Sequence, residues 1–125
     1  MNIFSVRSGA MAGICLVLVM LASCASKEAV NLKIHTDPEG SHIVYRVASQ
    51  ETEENAQWIY LGLTPYQGLT LFAEEAFDDE STISFKVMRY GYLDQVREWS
   101  GEQFWAEYER DNILFWAPHL VRAGK

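Results

Sequence analysis

Residues 30–47 read Val-Asn-Leu-Lys-Ile-His-Thr-Asp-Pro-Glu-Gly-Ser-His-Ile-Val-Tyr-Arg-Val, and this stretch decides the fold class. Apolar and polar residues alternate on both sides of its centre, which is typical of strands with one buried face. The alternating apolar residues are Val30, Leu32 and Ile34 before the centre and Ile43, Tyr45 and Val47 after it. Pro38 and Gly40 favour a tight turn, because proline presets φ and glycine tolerates positive φ. The stretch therefore predicts strands over 30–36 and 42–47 that are joined as a β-hairpin.

Shorter segments of the same kind follow, separated by polar loops at 48–57 and 74–81. Strands are predicted over 58–61, 68–73, 82–88, 93–99 and 112–117. In the segment 82–88, Ile83, Phe85 and Val87 should face the core, and Ser84 and Lys86 should face solvent.

Residues 102–110 predict a helix of two turns, because Phe104 and Tyr108 are spaced to lie on one face. Regular short strands with turn residues between them indicate an all-β or mainly β fold. We expect a small β-sandwich with a short C-terminal helix. A chain of 125 residues leaves little room for a second domain.

The N-terminus has the features of an export signal. One cation, Arg7, precedes an uncharged run over residues 9–25, and the apolar centre of that run is shorter than the roughly 20 residues a spanning helix prefers. At its end, Leu21-Ala22-Ser23-Cys24 resembles the lipobox of bacterial lipoproteins. The resemblance implies cleavage before Cys24 and acylation of that cysteine, with fatty acids such as palmitate. Cleavage after Ala25 by an ordinary signal peptidase and an uncleaved signal anchor are the alternatives.

This interpretation divides the chain into three parts: a signal peptide at 1–23, a lipidated tether at 24–29 and a domain at 30–121. The only two cysteines are Cys15 and Cys24, so the mature domain would hold no disulfide and would depend on its core. The net charge of −7 becomes one unit more negative without Arg7, which argues against nucleic acid as a partner. Electrostatic attraction of so acidic a surface to anionic lipid is also unfavourable overall, so membrane attachment requires the anchor on Cys24.

Three turns then occur in a recognisable order. They are Thr36-Asp37-Pro38-Glu39-Gly40-Ser41, Leu61-Gly62-Leu63-Thr64-Pro65 and Phe85-Lys86-Val87-Met88-Arg89-Tyr90-Gly91-Tyr92. Their order and spacing resemble the PEGA domain over residues 32–101, with Ser41 in place of the final alanine and an insertion at 74–81. The resemblance implies a transthyretin-like β-sandwich of exported proteins without catalytic residues. Residues 102–121 form an extension outside it.

Candidate chemical groups are few. His35, His42 and His119 form no metal-binding motif, although a site made of His35, His42 and Glu39 is an alternative to two solvent-facing histidines. The acidic run at 74–80 contains no glycine for a calcium loop, so a solvated loop is the expectation. We predict no catalytic, cofactor-binding or metal-binding residues, and no cofactor.

Aromatic residues concentrate near the C-terminus. Because neighbours cannot both point inward on a regular element, one member of Phe104-Trp105 and one of Phe115-Trp116 should be exposed or covered by another segment. Trp105 and Trp116 are the candidate binding surface, and the alternative is that these aromatic residues serve the core and a helix that covers it.

The sequence predicts a membrane-anchored, non-catalytic structural or protein-binding module of the cell envelope, with an envelope protein or the cell wall as partner. Binding of envelope polysaccharide or peptidoglycan through the aromatic residues is the first alternative, and a small metal-dependent hydrolase is the second. In a Gram-negative host, Ala25 after Cys24 resembles a signal for the outer membrane.

Overall fold

The fold is a β-sandwich of seven strands, one 3-10 helix and one α-helix, seen in a computed structural model that describes residues 27–49 and 56–124. The strands are β1 (Lys27–Ile34), β2 (His42–Ala48), β3 (Ile59–Leu63), β4 (Tyr66–Ala73), β5 (Thr82–Met88), β6 (Gln95–Ser100) and β7 (Leu114–Trp116). The 3-10 helix covers Glu74–Phe77, and the α-helix, α1, covers Gly101–Asp111. The predicted signal peptide and Cys24 lie outside the described residues. No helix of the described part has the length and hydropathy needed to cross a membrane.

The strands form two sheets, which confirms the predicted sandwich. The small sheet has the order β4-β1-β7, and the large sheet has the order β3-β2-β5-β6. Strand β1 pairs antiparallel with all eight residues of β4 and parallel with β7. Because β4 and β7 are edge strands, β1 occupies the centre of the small sheet.

The predicted hairpin between the first two strands is wrong. Strands β1 and β2 belong to different sheets, so the turn at Pro38 carries the chain across the sandwich. After the turn, the backbone N–H groups of Gly40 and Ser41 donate to the hydroxyl of Thr64, at 3.0 and 2.9 Å, which directs the chain away from β1. Alternation therefore identified the buried face of each strand but not its partner.

The core lies between the sheets and follows the predicted alternation. Residues that are almost fully buried in it include Val30, Leu32, Ile34, Ile43, Ile83, Phe85 and Val87. The predicted exposure of Ser84 is wrong, because only 1% of this residue is accessible. Ser84 lies on the outer face of β5 between Arg46 of β2 and Glu98 of β6, and its hydroxyl donates to Glu98 at 3.3 Å. The long side chains of Arg46 and Glu98 therefore cover the short side chain of Ser84.

Helix α1 is part of the core. It begins with a capping box between Ser100 and Gln103. Its C-cap is Asn112, whose φ of 56° lies in the left-handed region. Phe104 is fully buried and contacts four aromatic rings, those of Phe72, Phe77, Phe85 and Trp99. The predicted helix is confirmed, and the C-terminal extension completes the sandwich.

The first strand begins earlier than the sequence indicates. Lys27, Glu28 and Ala29, assigned to the tether, already pair with the last three residues of β4. Only Ala25 and Ser26 therefore separate Cys24 from the folded body.

Candidate interaction surfaces

The first two sequence motifs meet at one end of the sandwich, where their hydroxyl groups form a buried cluster. The Oγ1 atom of Thr36 lies 2.7 Å from Oγ1 of Thr64 and 3.1 Å from Oγ of Ser41. All three residues are buried. The third motif joins them through Arg89, whose guanidinium donates to the carbonyl oxygen of Glu39. The motif residues thus support one another, which is a structural role.

A shallow cavity of about 220 Å³ opens beside this cluster, between the first turn and the segment after β7. Two histidine–carboxylate pairs line it: His35 Nδ1 lies 3.0 Å from Glu39, and His119 Nδ1 lies 3.2 Å from Asp37. The His119–Asp37 pair is largely solvated, since each side chain is 79% exposed. Exposed pairs of this kind contribute little to stability.

The alternative site of His35, His42 and Glu39 is only partly assembled. His35, directly after β1, contacts Glu39. His42 instead begins β2 of the large sheet, where its ring lies 3.0 Å from the hydroxyl of Tyr60. In the described ranges, 27–49 and 56–124, no three His, Cys, Asp or Glu side chains are grouped to hold a metal ion. Desolvation opposes ionisation of Glu39, but a backbone hydrogen bond from Thr36, together with His35, holds the pKa of its carboxyl below the ordinary value.

The two candidate tryptophans have different surroundings. Trp105 is half-buried on α1, and its ring contacts those of Phe77 and Tyr108 at centroid distances of 4.9 and 5.7 Å. Trp116 is half-buried on β7 and packs against the core. Of the pair Phe115-Trp116, Phe115 is the more exposed residue, at 52%.

The largest exposed apolar side chains of the small sheet lie on its outer face, which the sequence pattern does not reveal. Leu69 is 70% exposed and Leu71 is 61% exposed, both on β4. We call this surface the leucine face, and the register assigns to it Lys27, Ala29, Asn31, Lys33, Gln67, Leu69, Leu71, Ala73 and Phe115. The sequence of β4 does not indicate which of its faces is exposed, because both faces carry apolar residues.

Strand β4 also provides an unusually open edge. It is eight residues long, contains no charged residue and no proline, and pairs with β1 without a register shift. The other three edge strands are protected by familiar devices. The pairing of β3 with β2 contains a register shift, and β6 contains the charged residues Arg97 and Glu98. Strand β7 has only three residues and is soon followed by Pro118.

The outer face of the large sheet is different in character. Trp58 lies there between two cations, with Arg46 Cζ 4.5 Å and Lys86 Nζ 4.4 Å from its ring centroid. The Trp58 ring and the cations of Arg46 and Lys86 are therefore engaged with one another in cation–π contacts.

Comparison with protein-family models, curated proteins and solved structures returned no match for this chain, so the resemblance to the PEGA domain rests on the three motifs.

Proposed function

We propose that this chain is a bacterial lipoprotein, acylated on Cys24, that serves in the cell envelope as a non-catalytic structural and protein-binding module. It binds an extended segment of an envelope protein along the open edge of β4. In a Gram-negative host its location is the outer membrane, in keeping with Ala25 after the acylated cysteine.

The open edge of β4 is the observation that carries the protein-binding part. An edge strand offers unpaired backbone N–H and C=O groups, and an extended segment can satisfy them by adding a strand to the sheet. Leu69 and Leu71 then favour a segment with apolar residues at alternate positions, because cross-strand neighbours share a face. A partner strand at this edge would leave the leucine face itself uncovered.

The non-catalytic part is supported by the roles of the polar groups. The hydroxyls of Thr36, Ser41 and Thr64 are engaged with one another and with the backbone of the two turns. The two histidine–carboxylate pairs beside them are solvent-exposed, and the partner of each imidazole in them is a carboxylate, Glu39 for His35 and Asp37 for His119.

The anchor is tested by the intact mass of the mature protein and by incorporation of a clickable fatty acid. The native chain should begin at Cys24 and carry acyl mass, and the Cys24→Ser chain should carry none. A mature chain that begins at another residue without acyl mass contradicts the proposal.

The partner is tested by photocrosslinking in membranes, with a photoreactive residue at Gln67 or at Ala73, the two ends of the exposed side of β4. Both positions should crosslink to one segment of one envelope protein. The two attachment points should lie about six residues apart, because paired strands advance together. Val96 on β6, exposed to 51%, is the matched control position. The same products from Val96 would refute binding at the β4 edge.

A further inference from the structure

The leucine face differs in charge from the rest of an acidic chain. The sequence holds 17 acidic residues against 10 basic ones. Of the nine residues that the register assigns to the face, the charged ones are Lys27 and Lys33, and none is acidic. Lys33 Nζ lies 5.8 Å from the ring centroid of Phe115. A cation beside exposed leucine and phenylalanine side chains is the composition that favours an anionic lipid surface.

The start of β1 places this face close to Cys24. Three residues span at most about 10 Å, so Cys24 lies within that distance of Lys27 along the chain. The pair of Ala29 and Leu71 lies two residues further along the sheet, which adds about 7 Å. A membrane that holds an acyl chain on Cys24 is therefore within reach of the end of the leucine face where Ala29 and Leu71 lie.

A body held this closely must turn one of its surfaces to the bilayer. The outer face of the large sheet presents Glu98 and two cations that are already engaged by Trp58. The leucine face presents Leu69, Leu71 and Phe115, and no residue that the register assigns to it is acidic.

We infer that the leucine face rests on the bilayer that holds Cys24. Leu69, Leu71 and Phe115 enter the interfacial layer, and Lys33 lies beside anionic headgroups. The inference rests on the proposed acylation of Cys24, because the acidic chain as a whole does not favour such a surface. The lipid anchor supplies attachment, and the face sets the orientation.

The test uses the mature acylated protein with one introduced cysteine, since Cys24 is blocked by its thioether and Cys15 leaves with the signal peptide. Leu71→Cys and Phe115→Cys report on the face, and Leu63→Cys on β3, exposed to 50%, is the matched control. Each thiol carries an environment-sensitive fluorophore. The protein is reconstituted into phosphatidylethanolamine vesicles with a minor share of phosphatidylglycerol, with and without lipids that carry a nitroxide near the headgroup.

Labels at Leu71 and Phe115 should be quenched several-fold more strongly by the nitroxide lipids than the label at Leu63. Equal quenching at all three positions, in protein that floats with the vesicles, overturns the orientation and leaves the anchor intact. A blue-shifted label at Leu71 that nitroxide lipids do not quench also overturns it, because a protein then covers the face. Protein that carries no acyl mass and does not float overturns the anchor and, with it, this inference.

Discussion

The hydroxyl oxygen of Thr64 lies 2.7 Å from that of Thr36, and this contact joins the two turns through which the chain changes sheets. The first turn leads from β1 to β2, and the second leads from β3 back to β4. The Thr64 hydroxyl also accepts hydrogen bonds from the backbone N–H groups of Gly40 and Ser41, so it has three hydrogen-bond partners.

Thr64→Val should destabilise the domain, because valine keeps the shape but leaves these buried groups without a partner. We expect a loss of about 1–3 kcal/mol in the free energy of unfolding, measured with denaturant. Thr64→Ser keeps the hydroxyl and is the control. A larger loss in Thr64→Ser than in Thr64→Val would assign the effect to packing of the methyl group, which valine keeps and serine lacks.

Glu39→Gln tests the lowered pKa of Glu39. The folded-state pKa lies below the unfolded value, so ionised Glu39 stabilises the fold above the ordinary pKa of about 4.5. That contribution is lost as pH falls through the folded-state pKa. Native protein should therefore exceed the variant in stability near neutral pH, and the difference should shrink in acid. A difference that stays constant over this range would contradict the assignment.

Gly101→Ala should be more damaging than Gly91→Ala. A Cβ at Gly101 would lie 2.3 Å from the carbonyl oxygen of Asp78 and 2.7 Å from the carbonyl carbon of Phe77, which are backbone atoms. The overpacking should cost about 1–3 kcal/mol or more. Gly91 has a φ of +85° but open space around it, so its variant carries backbone strain alone, of about 1 kcal/mol. Thermal unfolding of the two variants measures the difference, and equal melting temperatures would refute the steric argument.

Phe104→Ala should show that α1 is part of the core. Removing a fully buried ring with four aromatic neighbours should cost about 3–5 kcal/mol. Phe115→Ala removes a ring that is half exposed and should cost on the order of 0.5 kcal/mol. Denaturant midpoints of the two variants provide the comparison. A small effect at Phe104 would mean that the sandwich is stable without the helix.

Much of the fold was predictable, because burial follows the two-residue period of a strand. Val30, Leu32 and Ile34 point into the core as the alternation requires, and β5 has the predicted bounds. Strand pairing was not predictable in the same way. The hairpin expected across Pro38 failed because the turn chemistry depends on Thr64, which is 24 residues distant from Gly40.

The candidate surfaces were less predictable. The sequence marks Trp105 and Trp116 as large aromatic residues, but their exposure depends on which neighbours cover them. The leucine face could not be predicted, because Thr70 and Phe72 on the buried side of β4 are no more apolar than Leu69 and Leu71 on the exposed side. Only the pairing of β4 with β1 shows which side faces the other sheet.

The central position of β1 has a mechanical consequence. A pull applied at Lys27 acts along a strand that is paired with β4 over its whole length and with β7 at its far end. Drawing the strand out along its axis would shear both ladders at once, whereas an edge strand pulled in the same direction would shear only one. Load arriving from the N-terminal side is therefore shared by the whole small sheet.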